Sequence, residues 1–86
     1  MSSPNADHIR AQVRALLTRL ASGAAFRDDQ DVLATGVIRS INLLELIVGV
    51  EDDHAIEVDQ RDVFEGRLRS VDTLVAFVTA RLTVVA

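Results

Sequence analysis

The sequence predicts an all-α fold: a bundle of three main helices, one short third helix and a long first loop. Apolar residues recur every three or four positions in three separate segments, which is the period of an amphipathic helix. A fourth, shorter segment lies between Asp59 and Gly66, the residue types favoured just before and just after a helix. Hydrophobic residues make up 49% of the chain, enough to build one core and more than a disordered chain carries.

The first helix is predicted from an apolar face that begins near the start of the chain. The residues of that face are Ile9, Val13, Leu16, Leu17 and Leu20. We expect residues 1–5 to be frayed and Gly23 to end the helix as its C-terminal cap. The whole chain, 1–86, is then one small domain with a core of about residues 6–83.

Residues 22–39 show no helical period and are predicted to form the long first loop. A loop of this length in so small a domain needs a reason. We interpret its scattered apolar residues as anchors that hold it across the bundle: Phe26, Val32, Leu33, Val37 and Ile38. Gly36 permits a positive φ shortly before the second helix.

The second helix is predicted from Ser40 to about Asp53, with Ser40 as its cap, and it is apolar on two sides. One side faces the core with Leu43, Leu46, Ile47, Val50 and His54. The other carries Ile41, Leu44 and Val48 beside Glu45 and Asp52. A helix with two apolar sides is either deeply buried or docks a partner, and the flanking acids favour docking.

The third and last helices are predicted from their caps and their apolar spacing. Asp59 is the expected cap of the short third helix, and Val63 and Phe64 are expected to anchor it in the core. Ser70 is expected to cap the last helix. The apolar residues of that helix are Val71, Leu74, Val75, Val78 and Leu82.

Composition excludes several kinds of protein. The chain has no cysteine, which removes disulfides, thiolate catalysis and cysteine metal sites. We find no charged-then-apolar leader and no apolar run of about 18 residues that could span a membrane. These observations predict a cytoplasmic protein without a membrane partner.

The charge is concentrated in the middle of the chain. The net charge is −4, but residues 31–66 carry nine acids against Arg39 and Arg61, a net charge of −7. Such a field repels nucleic acid and attracts basic protein surfaces. A small helical DNA-binding protein is therefore excluded, and a basic protein partner is favoured over a merely solvated helix face.

Ser40 is the one residue whose setting suggests chemistry. It follows the long loop and Gly36 and precedes the helix that is apolar on two sides, whereas Ser70 has only the setting of an ordinary cap. The chain has two histidines, His8 and His54, and no histidine–acid–serine pattern. We therefore predict no catalytic residue, no metal site and no stand-alone enzyme; His54 is expected to be a half-buried packing residue.

Residues 31–54, Asp-Val-Leu-Ala-Thr-Gly-Val-Ile-Arg-Ser-Ile-Asn-Leu-Leu-Glu-Leu-Ile-Val-Gly-Val-Glu-Asp-Asp-His, resemble the core of an acyl carrier protein. That family has a short Asp-Ser-Leu motif where the loop meets the second helix, and here the motif reads Arg39-Ser40-Ile41. His54 stands where the family usually has phenylalanine. The similarity extends over roughly residues 9–82 and implies a discrete carrier with the acyl-carrier-like four-helix bundle.

The resemblance implies a function for Ser40. A phosphopantetheinyl transferase would move 4′-phosphopantetheine from coenzyme A onto its hydroxyl, and the arm would hold acyl or aminoacyl groups as thioesters. The other expected partners are a loading ligase or transferase and downstream enzymes of a polyketide, nonribosomal peptide or fatty-acid-like pathway. A monomer is expected, and the predicted docking residues are Arg39, Ile41, Leu44, Glu45, Val48, Glu51 and Asp52. The alternative is an unmodified carrier-like module that docks a partner through the second helix.

Overall fold

The computed structural model describes residues 5–83 of the chain, without the side chain of Thr83. Four α-helices follow in order within this range: α1 (Ala6–Leu20), α2 (Leu43–His54), α3 (Gln60–Phe64) and α4 (Val71–Thr83). A short 3-10 turn, Ser40–Asn42, leads directly into α2. The predicted small helical bundle with three main helices, a short third helix and a long first loop is confirmed.

Helix α1 begins one residue after Asn5, whose side chain accepts hydrogen bonds from the backbone N–H groups of Asp7 and His8 at 3.0 and 3.2 Å. The expected fraying is therefore wrong at Asn5, and residues 1–4 lie outside the described range. The helix ends earlier than expected. Ala21 is its C-cap and Ser22 takes a left-handed φ of 52°, so Gly23 is not the cap but the next residue of the same turn.

The predicted anchors of the first loop are confirmed. Val32 and Ile38 are fully buried, and Phe26, Leu33 and Val37 pack against the core. Two backbone hydrogen bonds fix the buried pair: Val32 N–H donates to the carbonyl of Arg69 (2.8 Å) and Ile38 N–H donates to the carbonyl of Val32 (3.0 Å). The loop thus has a fixed course across the bundle and ends at a defined place.

Charged side chains tie the same loop to α1 and α4. Asp28 accepts hydrogen bonds from Arg10 and Arg14 of α1, and Arg10 also pairs with Asp72 of α4 at 2.7 Å. The backbone N–H of Asp72 donates to the carbonyl of Asp28 at 3.0 Å. These contacts hold the first part of the loop against two helices.

The predicted core face of α2 is confirmed, and α2 packs closely on α1. Leu46 and Val50 are fully buried, while Leu43 and Ile47 lie at the edge of the core. A Cβ atom at Gly49 would lie 2.7 Å from a methyl carbon of Leu16, so the absence of a side chain at Gly49 allows the close approach of the two helices. The sequence analysis did not identify this contact.

Helix α3 has the predicted caps but not both predicted anchors. Asp59 accepts a hydrogen bond from the N–H of Asp62 (3.1 Å), Asp62 accepts one from the N–H of Asp59 (3.0 Å), and Gly66 follows the helix with a φ of 78°. Val63 packs against the core as expected. Phe64 does not: it is 83% exposed, since a helix of only five residues cannot bury every apolar side chain.

An ion pair between the buried carboxylate of Asp62 and the partly exposed guanidinium of Arg81 joins α3 to α4. Arg81 donates two hydrogen bonds to the buried carboxylate of Asp62, at 2.7 and 2.8 Å, and one to the carbonyl of Glu57 at 2.8 Å. Burial by itself raises the pKa of Asp62, but the N–H of Asp59 and the Arg81 guanidinium together hold that pKa below its usual value.

Helix α4 supplies the centre of the core. Ser70 and Thr73 exchange hydrogen bonds between side chain and backbone at 3.0 and 3.1 Å, which confirms Ser70 as the cap. The buried residues of α4 are Val71, Leu74, Val75, Phe77 and Val78. Phe77 was not predicted, and Leu82, which was predicted, lies at the exposed edge.

Candidate functional site

Ser40 lies at the surface, where the long loop meets the 3-10 turn before α2. Its side chain is exposed, and its hydroxyl makes no hydrogen bond to any described residue. The expectation that Ser40 caps the second helix is wrong. Arg39 occupies the cap position with extended backbone (φ −97°, ψ 161°), so Ser40 is already inside the first turn and its hydroxyl is left free.

Asn42 makes the contact that closes this turn. Its side-chain oxygen accepts a hydrogen bond from the N–H of Arg39 at 3.0 Å, and its own N–H donates to the carbonyl of Arg39 at 2.8 Å. Its amide nitrogen also donates to Glu45 at 3.1 Å. Asn42 was not predicted from the sequence. An asparagine at the third position of a helix is nevertheless a recognisable signal, because its side chain can bond the backbone N–H of the residue before the helix.

Gly36 and Ile38 of the loop fix the position of Ser40 at the surface. Gly36 has the expected positive φ, 77°, with open space where a side chain would be. Ile38, two residues before Ser40, is fully buried. Ser40 is therefore an exposed residue on a fixed support.

Arg39 is exposed next to Ser40, and its guanidinium has no ion pair or hydrogen bond with a described residue. Six of the nine arginines do have an ion pair within the described range: Arg10, Arg14, Arg27, Arg67, Arg69 and Arg81. Arg39 is thus a free positive charge beside a free hydroxyl.

A cleft of about 380 Å³ opens on one side of the Ser40 turn. The end of α1 at Leu20 and Ala21 and the loop at Gly36 and Val37 form one part of its wall. The opposite part includes Arg39, with Ile41 and Asn42. We call this space the loop cleft.

The second apolar side of α2 is exposed, as its pattern predicted. Ile41, Leu44 and Val48 are 78%, 69% and 46% exposed, and Glu45 and Asp52 are exposed beside them. We call these five residues the docking face. Their role in docking stays a prediction, as does that of Arg39.

Glu51 differs from the other predicted docking acids. It is only partly exposed, and its carboxylate accepts a hydrogen bond from the N–H of Val58 at 2.9 Å. Glu51 therefore helps to hold the connection between α2 and α3. Any contribution to docking would come in addition to that structural contact.

An apolar groove of about 360 Å³ lies between α2 and α3. Leu43 and Ile47 of α2 form one wall, and Val58, Val63 and Phe64 form the other. The sequence analysis missed this groove because it placed Phe64 in the core. The only feature of the sequence that could have indicated the exposure of Phe64 was the short length of the third helix, since so short a helix cannot bury all its apolar side chains.

His54 lies far from Ser40, and His8 is close enough to His54 to influence the pKa of that residue. His54 is the last residue of α2, fourteen positions after Ser40 and on the order of 20 Å away along the helix at ~1.5 Å per residue. His54 packs in the core, but at 8% exposure it is buried and not half-buried as expected. Burial lowers its pKa, partly opposed by nearby Asp53, and its Nε2 atom has no hydrogen-bond partner among the described residues.

Nothing in the described range brings together three or more His, Cys, Asp or Glu side chains that could hold a metal ion. Over the same range, the helices are too short or too polar to cross a membrane. Comparisons with models of known protein families, with curated proteins and with solved structures found no match.

Proposed function

We propose that this chain is a carrier domain of the acyl carrier type, in which Ser40 bears a 4′-phosphopantetheine arm. The arm presents thioester-bound acyl or aminoacyl intermediates to the enzymes of a biosynthetic pathway. One observation carries the proposal: the Ser40 hydroxyl is exposed and free of hydrogen bonds to described residues, on a turn that buried Ile38 and the Asn42 side chain hold in place.

The surroundings of Ser40 fit the group. A phosphate on the hydroxyl oxygen would displace no hydrogen bond, and the adjacent Arg39 guanidinium is available to an anion. On attachment, the Ser40 oxygen would form a bond to phosphorus, a phosphoanhydride bond of coenzyme A would break, and its nucleotide half would leave. The hydroxyl proton must pass to an external base, since neither histidine is near, and this base would belong to the transferase.

The docking face supports the same proposal. Exposed leucine, isoleucine and valine side chains on an otherwise folded helix are typical of an interaction surface. The acids beside them would steer a basic partner toward Ser40, which lies at the start of the same helix. A transferase, a loading enzyme and later enzymes could all use this one face in turn.

The docking face also favours a second candidate, the unmodified interaction module, because that face needs no arm on Ser40. Intact-mass measurement separates the two. The wild-type protein, Ser40→Ala and Ser22→Gly are incubated with coenzyme A and a broad-specificity phosphopantetheinyl transferase. Ser22 is the matched control because it is also exposed, and its left-handed φ suits glycine.

The carrier proposal expects the wild-type protein and Ser22→Gly to gain one phosphopantetheine each, and Ser40→Ala to gain none. A wild-type chain that stays unmodified while an authentic carrier in the same tube is modified would favour the interaction module. A Ser40→Ala protein that is still modified would contradict the assignment of Ser40.

A further inference from the structure

Arg39 stands out among the arginines because it has no ion-pair partner among residues 5–83 and lies next to the proposed attachment residue. Arg19 and Arg61 are the other arginines without an ion pair in the described part of the chain, and neither is adjacent to Ser40. The backbone N–H of Arg39 is already bonded to Asn42, which fixes the start of its side chain while leaving the guanidinium free.

The charge of the segment gives this guanidinium a role. Residues 31–66 carry a net charge of −7, and Arg39 and Arg61 are their only cations. A phosphodiester on Ser40 would add one more negative charge close to Glu45, which is linked to the same turn through Asn42. A cation at position 39 offsets that repulsion, and a guanidinium matches phosphate oxygens with two parallel N–H groups.

The position of Arg39 also indicates on which side of Ser40 the phosphopantetheine arm would lie. Arg39 forms part of the wall of the loop cleft, together with Gly36 and Val37, but it does not border the groove between α2 and α3. A phosphate paired with Arg39 is therefore drawn toward the loop cleft, whose volume of about 380 Å³ leaves space for part of an arm.

We propose that Arg39 binds the phosphate attached to Ser40 and thereby holds the resting arm in the loop cleft. The inference rests on the proposed function, since it requires the arm on Ser40. Arg39 is a positioning residue in this account: it takes no part in the transfer and sets where the arm lies when no partner enzyme is bound.

NMR spectroscopy of unmodified and modified protein tests the inference. Both forms are prepared for the wild type, for Arg39→Gln and for Arg61→Gln, and mass spectrometry verifies the modification. Arg61→Gln is the matched control because Arg61 is also exposed and has no ion pair within the described range, but it lies on α3. The spectra report backbone amides, arginine Nε–H groups and the phosphorus of the arm.

In the wild type, modification is expected to shift the amides of Ala24, Gly36 and Val37 and the Nε–H of Arg39. Arg39→Gln should lose the amide shifts and move the phosphorus resonance, and Arg61→Gln should retain the wild-type pattern. Added salt should shrink the wild-type shifts, since the pair is exposed. The inference is overturned if Arg39→Gln keeps the same shifts, or if modification shifts only Val58, Val63 and Phe64 of the groove.

The same samples separate the two proposals. A chain that gains no phosphopantetheine contradicts the proposed function and, with it, the role of Arg39. A chain that is modified on Ser40 but shows no dependence on Arg39 leaves the proposed function intact and contradicts only this inference.

Discussion

The side-chain oxygen of Asn42 lies 3.0 Å from the backbone nitrogen of Arg39 and accepts its hydrogen bond. This contact closes the turn that carries Ser40, because it satisfies the backbone N–H of the residue that precedes the turn. In an ordinary helix start, the residue before the helix supplies the capping oxygen. Here that residue is Arg39, whose side chain has no acceptor oxygen, and Ser40 lies one position further on, inside the turn.

We predict that Asn42→Ala destabilises the protein by ~1 kcal/mol, as loss of a capping contact typically does. Hydrogen exchange at the Arg39 amide should also become faster. Glu45→Ala is the control because it removes the contact between Asn42 and Glu45 and keeps the one between Asn42 and Arg39. Urea unfolding and amide exchange by NMR give the answer, and an Asn42→Ala protein as stable as Glu45→Ala would show that the contact with Arg39 does not hold the turn.

Leu44 and Leu46 provide a matched pair on opposite sides of α2. Leu44 is 69% exposed and Leu46 is fully buried. We predict that Leu46→Ala lowers the free energy of unfolding by about 3 kcal/mol, the usual cost of a cavity in a core. Leu44→Ala should change it by less than ~0.5 kcal/mol and still slow modification by the transferase.

Chemical denaturation and initial rates of modification measure the two effects of the leucine pair. A Leu44→Ala protein that is as stable as the wild type and is modified at the same rate would show that Leu44 takes no part in docking the transferase.

Reversing the charges of Glu45 and Asp52 tests whether the acids of the docking face attract a basic partner. Glu45→Lys combined with Asp52→Lys should slow modification by about tenfold at low salt, because steering toward a basic partner is lost. The control is Asp29→Lys with Glu57→Lys, which makes the same change in net charge at exposed positions outside that face.

Stopped-time assays at low and high ionic strength should show that the effect of the Glu45 and Asp52 reversal fades as salt rises. Equal rates for the docking-face and control variants would mean that the acids of α2 are merely solvated.

His54 is predicted to make stability depend on pH. Burial holds its pKa below the ordinary value, so the unfolded chain binds the proton more readily than the folded chain. The contribution of His54 to the free energy of unfolding is therefore complete above the pKa of the unfolded chain, about 6.5. It falls as the pH decreases toward the pKa that His54 has in the folded protein.

Urea unfolding at pH 7.5 and pH 5.5 measures this dependence. His54→Phe should reduce the loss of stability between the two values, and His8→Gln should reduce it less, because the His8 charge is only a minor cause of the lowered pKa of His54. An unchanged pH dependence in His54→Phe would contradict this role of His54, since carboxylates with a lowered pKa such as Asp62 stay ionised at both pH values.

The sequence was sufficient to predict the helices and most of the core, because both depend on the spacing of apolar residues. The face of Ile9, Val13 and Leu16 and the loop anchors Val32 and Ile38 are buried as predicted. Phe64 and Phe77 show the limit. Both are phenylalanines in short apolar stretches, and only the packing of α3 and α4 in three dimensions decides that Phe77 is buried and Phe64 exposed.

The candidate site was predictable in its position but not in its details. The order of loop, Gly36, Ser40 and apolar helix follows from the chain itself. The place of the cap does not, because Ser40 is a good capping residue by its type, whereas the 3-10 turn begins at Ser40 and leaves Arg39 in the cap position. The sequence also could not predict that the Arg39 guanidinium is unpaired among the described residues, since arginines form ion pairs with residues that are distant in sequence.

The most direct test of the central claim is to locate the arm. Wild-type protein produced together with a broad-specificity transferase is digested, and the fragments are sequenced by mass spectrometry. The account predicts a phosphopantetheine on the peptide that contains Ser40, assigned to that residue, with the peptides that contain Ser22 and Ser70 unmodified. An arm on any other residue, or an entirely unmodified chain beside a fully modified authentic carrier, would contradict it.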